Sequence, residues 1–136
     1  YFSDTRISFT PRVPLAQRVI DDVMKQYPRI IGLKIFAPNE AKELRVVASN
    51  EESQRGELAK KVEEDVLATG MPYYAKSKKT ISVILPLRDR NGEPVGVLRV
   101  ILKPFFGQTA NNAFSRSLPI AQSIEARMGS AKDLTR

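Results

Sequence analysis

The chain has 136 residues, 42% apolar and 27% charged, a composition that fits one folded domain with one core and excludes wholesale disorder. Cysteine and histidine are both absent, which removes disulfides, thiolate and imidazole metal sites, cysteine nucleophiles and imidazole bases. The net charge of +7 favours acidic partners without naming one.

The chain opens on Tyr1 rather than methionine, as a processed form or an excised piece would. Residues 1–12 carry no sustained period and read as an extended arm. Pro14 suits a first helical turn, and Leu15, Val19, Val23 and Tyr27 recur at helical spacing until Pro28 stops them. Residues 29–37 alternate as a strand, with Ile31, Leu33 and Ile35 on one face and Ile30, Gly32, Lys34 and Phe36 on the other. A polar connection through Asn39 and Glu43 leads to a second strand over 44–49. Asn50 or Ser53 is placed to cap a helix whose buried stripe is Leu58, Val62 and Val66, ended by Gly70. Residues 71–77 form a short strand. Two longer strands follow, 80–88 and 95–103, joined through Asp89-Arg90-Asn91-Gly92-Glu93-Pro94. Asn91 and Gly92 as the two residues of a primed turn set Ile84 opposite Arg99 and Ser82 opposite Ile101. The last helix runs from Gln108 to Met128 on a stripe of Phe114, Leu118, Ala121, Ile124 and Met128. Pro119 implies a kink, or a restart capped by Ser117. Phe105-Phe106-Gly107 before it reads as an aromatic plug at the core edge, the alternative being a self-association contact.

Antiparallel hairpins around one helix give an α+β domain with a five-stranded sheet. This element order, with Asp89-x-x-Gly92-x-x-x-Gly96 in the hairpin of the last two strands, resembles the Cache (PDC) family, PAS-like extracytoplasmic sensor domains. The resemblance covers residues 14–128, as one sensor domain of the single-module type within 1–136. It implies strand order 2-1-5-4-3, with N-terminal, middle and C-terminal helices flanking the sheet and a small ligand on the face under the middle helix. It also implies a periplasmic or extracellular location, as a free module or the sensing part of a membrane-anchored parent protein.

The two sheet faces differ. Ile31, Leu33, Ile35, Ile81, Val83, Leu85, Leu87, Leu98, Val100 and Leu102 make one wholly apolar face that requires a helical cover. The other is mixed: Gly32, Lys34, Phe36, Thr80, Ser82, Ile84, Val97, Arg99 and Ile101. Lys34 and Arg99 fall on strands that the family order makes neighbours, and two cations there repel unless an anion or an acid lies between them. An arginine grips a carboxylate through two parallel hydrogen bonds. Lys34 and Arg99 are therefore the candidate ligand-binding cations, with Ser82 beside them, Tyr73 or Tyr74 as hydroxyl and aromatic wall, and Gly32 as a point of close approach. The plainer readings are cations that are solvated or paired with a local acid, and a dimer contact.

No cofactor, metal or catalytic group is expected. Lys76-Ser77-Lys78-Lys79 lacks interleaved aromatics and reads as a solvated turn rather than a nucleic-acid contact. Glu63-Glu64-Asp65 reads as a solvated helix face. No apolar run approaches the roughly 18–20 residues needed to span a bilayer. The function expected is therefore a non-enzymatic sensor for a small anionic ligand, the alternative being a ligand-free dimerisation module.

Overall fold

The computed structural model describes residues 15–104 and 109–128. Its elements are α1 (Leu15–Gln26), β1 (Ile30–Pro38), β2 (Leu44–Ser49), a 3₁₀ turn (Glu52–Gln54), α2 (Lys61–Thr69), β3 (Tyr73–Lys76), β4 (Ile81–Arg88), β5 (Pro94–Leu102) and α3 (Ala110–Arg127). The five strands form one antiparallel sheet in the order β2-β1-β5-β4-β3, the α+β architecture expected from the sequence. Pro14, the Phe105-Phe106 pair and the 1–12 arm lie outside the described residues.

The sheet separates two apolar cores. Beneath it, α1 and α3 bury Val19, Ile20, Ala113, Ile120 and Ile124 against Leu33, Ile35, Val83, Leu98 and Val100. Each such side chain contributes about 1.5–3 kcal/mol of burial, so this layer carries the fold. Above the sheet, Val66 of α2 packs on Phe36, Leu44, Val46, Ile84 and Val97.

Several local expectations are corrected. The helix expected after Asn50 forms only from Lys61, because residues 56–59 are drawn onto the free edge of β2. Glu57 C=O accepts from Val46 N–H (2.9 Å), Gly56 N–H donates to Val46 (2.8 Å) and Ala59 N–H donates to Leu44 (2.8 Å). An edge strand's unpaired groups compete for backbone partners, and Gly56 at φ +91° has already left helical space. Leu58, expected in the buried stripe, is exposed.

Ile31 also leaves the apolar face. The β1–β5 register shifts between Ile30 and Gly32, which turns Ile30 into the core and leaves Ile31 46% exposed. Asn50 is not a helix cap but holds this bulge. Its side-chain oxygen accepts from Leu33 N–H (2.9 Å) and its amide donates to the Ile31 carbonyl (3.3 Å).

The β4–β5 turn is not a two-residue primed turn. Gly92 N–H bonds the Asp89 carbonyl (3.0 Å), and Gly92, at φ +83°, takes the left-handed position while Asn91 does not. The expected pairs Ile84–Arg99 and Ser82–Ile101 still form, because a register shift between Leu87 and Arg88 absorbs the extra turn residue. α3 is continuous through Pro119 with Thr109 as its N-cap, so Ser117 caps nothing. Ser117 and Ile120 face the core, and Leu118, expected there, is half-exposed.

Candidate functional site

One row crosses the whole sheet. Ser49 pairs with Lys34, Lys34 with Arg99, Arg99 with Ile84, and Ile84 with Tyr73. Directly opposed residues share a face, so Lys34, Arg99 and Tyr73 all lie on the upper side. Ser82 lies there too, its hydroxyl accepting from Arg99 Nη2 at 3.5 Å. Tyr74, one position on, points below the sheet and meets Phe114 of α3 edge-to-face, centroids 6.1 Å apart. Of the five candidate residues, the upper face thus brings together Lys34, Ser82, Arg99 and Tyr73, and Tyr74 belongs to the lower core.

α2 roofs this face, and it carries the residue that the sequence reading missed. Glu63 is 1% exposed, whereas its neighbours Glu64 and Asp65 are solvated as expected. One Glu63 carboxylate oxygen accepts from the Lys60 N–H at 2.9 Å, half of a capping box at the helix start. The other accepts from Arg99 Nη1 at 3.3 Å. Lys34 has its own acid, Glu57, at 3.8 Å in the segment that pairs with β2. The repulsion between the two cations is therefore relieved from within the chain. Glu63 lies three residues after the helix start at Lys60 and three before Val66, and so shares the face that packs down.

Arg99 is only partly satisfied. A guanidinium has five donors, and here it makes one bond to Glu63 and one long bond to Ser82, while its Nε is buried with no partner. Gly32 offers no opening beside it, since a Cβ there would lie 3.1 Å from Ile101 Cδ1. Tyr73, half-exposed, instead lines a cleft of about 450 Å³ between α2 and β3, with Lys61, Asp65, Thr69 and Met71. Among the described residues no cluster of acids could hold a metal ion, and no helix is long and apolar enough to cross a membrane.

No family model matches the chain, and no curated protein matches it. Solved structures do. The GAF domain of a phosphoenolpyruvate-protein phosphotransferase from Acinetobacter is similar at a TM-score of 0.58 and 12% identity, covering 93% of this chain and 93% of that one. The GAF domain of a two-component sensor histidine kinase from Bacillus halodurans is similar at 0.57 and 13% identity, covering 82% and 92%. A type II free methionine-R-sulfoxide reductase from Thermoplasma acidophilum is similar at 0.52 and 12% identity, covering 81% and 89%. At these identities the likeness establishes the fold alone: the α+β, five-stranded antiparallel sheet of GAF domains.

Proposed function

We propose that the chain is a non-enzymatic sensing domain whose upper sheet face takes a small carboxylate on Arg99. The observation that supports this reading is the buried Arg99 Nε with no partner, beside a guanidinium held by a single Glu63 oxygen. A carboxylate approaching along the Nε–Nη2 edge makes two parallel bonds where Glu63 makes one. That sets two carboxylates on one guanidinium, and their repulsion loosens Glu63, and α2 with it, from the sheet, a population shift with a structural output. The sensor kinase and phosphotransferase contexts of the GAF neighbours fit such a role. The reductase neighbour is a weaker guide, because at 12% identity it shares a fold with this chain and nothing finer. An extracytoplasmic placement rests on the Cache resemblance alone, and reporter fusions to the parent protein test it.

The second reading is a ligand-free interaction module, favoured by the fact that both cations already hold internal acids. Thermal-shift screening of organic acids and amino acids separates the two. A sensor gives a saturable rise in Tm for at least one acid, about tenfold tighter in Glu63→Gln, where the competing carboxylate is gone, and weaker in Arg99→Lys, which keeps the charge but not the fork. No acid shifting either wild type or Glu63→Gln leaves only the interaction module, and concentration-dependent mass then measures it.

A further inference from the structure

Where α1 ends and β1 begins, on the α1–α3 side of the sheet, a cleft of about 480 Å³ opens against the end of β5. Arg29, Lys103 and Arg116 line it, and none of its lining residues is acidic. Among the described residues no ion pair or hydrogen bond engages the side chain of Arg29 or Lys103. A second cleft of about 360 Å³ shares Arg29, Ile30 and Arg116 with the first and extends past Tyr27 to Leu102 and Ile120. Together they form one groove with a cationic mouth and an apolar end, in the size range of small-ligand sites.

Ile31 carries the argument. The bulge at Ile30–Gly32 gives up regular pairing with β5 and turns a large aliphatic side chain out of the core into this cleft. Asn50 holds it there through two hydrogen bonds to β1. A bulge re-aims a side chain and often does so beside a site. The plain reading of Arg29, a cation just past the C-terminus of α1 where the helix dipole favours it, does not account for Lys103 or for Ile31.

We propose that this groove binds an organic anion carrying a hydrocarbon tail. The head lies among Arg29, Lys103 and Arg116, and the tail runs over Ile31 and Ile30 toward Leu102. The site is distinct from the one above the sheet at Arg99, and neither needs the other.

The probes are octanoate, octyl phosphate and, as uncharged control, octanol, titrated into the whole chain and followed by Tm and amide resonances. A saturable Tm rise is expected with at least one of the two anions, and the stronger of them identifies the head group. Octanol should bind at least tenfold more weakly, and the anion's affinity should fall as salt rises. Resonance shifts should centre on Ile31, Lys103 and Arg116 and not on Ser82 or Glu63. Arg29→Gln with Lys103→Gln, both exposed positions, should weaken binding at least tenfold while leaving the unliganded Tm nearly unchanged. Octanol matching the anions, undiminished binding by the double variant, shifts centred on Glu63, or no response to either anion each overturns the proposal.

Discussion

Lys42 sits at φ +62° in the turn from β1 to β2, the one side-chain-bearing residue among those described to do so. The turn repeats the geometry of the β4–β5 hairpin: Lys42 N–H bonds the Asn39 carbonyl (2.9 Å) as Gly92 N–H bonds that of Asp89 (3.0 Å). Gly92 takes the left-handed position without a Cβ to strain, whereas a side chain there costs about 1–2 kcal/mol. Part of that is offset by the extra unfolded-state freedom of glycine. Lys42→Gly should therefore stabilise the protein by about 0.5–1 kcal/mol, read as a higher urea midpoint, and an unchanged or lower midpoint refutes the strain. The next residue adds a pH term. The Asn39 side-chain amide, and after it the Arg45 guanidinium, hold the Glu43 carboxyl below the ordinary carboxylate range. A depressed acid contributes stability that is present above its unfolded-state pKa and lost as pH falls through the folded value. Wild type should then exceed Glu43→Gln in stability at neutral pH, and the two should converge in acid. A gap independent of pH would mean that the contribution is not one of charge.

Elements were legible where one period ran unbroken between clear stops, and blurred where backbone partners competed. Residues 15–26 and 81–88 match their expected bounds closely, because each pairs a sustained period with a stop such as Pro28 or the Asp89 turn. Residues 56–59 do not, because the demand of β2 for edge partners is a tertiary force that Leu58 and Val62 spacing does not encode. The Asp89-x-x-Gly92 turn was misassigned for a related reason: an Asn-Gly pair fits two turn geometries, and only the bulge at Leu87/Arg88 distinguishes them. α3 shows the same limit and gives a prediction with a sign. Of the kink and the Ser117-capped restart that Pro119 implies, the restart does not occur: the helix continues through Pro119, and the Ser117 hydroxyl is fully buried with no partner. A cap replaced by alanine loses about 1 kcal/mol. A buried orphan hydroxyl replaced by alanine removes a desolvation cost and improves helix propensity. Ser117→Ala should therefore be neutral to stabilising by about 1 kcal/mol in denaturant melts, and a loss of that size would restore the capping role.

At the scale of the molecule, the two-faced sheet was written in the alternation of β1, β4 and β5, and the cations on its upper side were visible as Lys34 and Arg99. Their counter-charges were not, because Glu57 and Glu63 come from segments whose placement depends on how the chain crosses over the sheet. That crossing makes the Glu63–Arg99 contact the one ion pair between α2 and the sheet among the described residues: Glu63 is sealed, and the Arg99 side chain is 24% exposed. Removing one member of a buried pair strands the other and costs about 3–5 kcal/mol, whereas replacing both with apolar residues of similar volume is often neutral. Because Arg99 keeps some solvent, Glu63→Leu should cost about 3 kcal/mol, the low end of that range. Glu63→Leu with Arg99→Met should recover most of the loss, since Val66, Ile84 and Val97 already make the surroundings apolar. A double-mutant cycle in urea measures this coupling. If the two losses simply add, the pair does not join α2 to the sheet and the ligand-driven loosening of α2 has no basis. If the double variant regains stability and in the same step loses its response to every acid that shifts wild type, then the pair is retained for recognition, because stability alone does not require it.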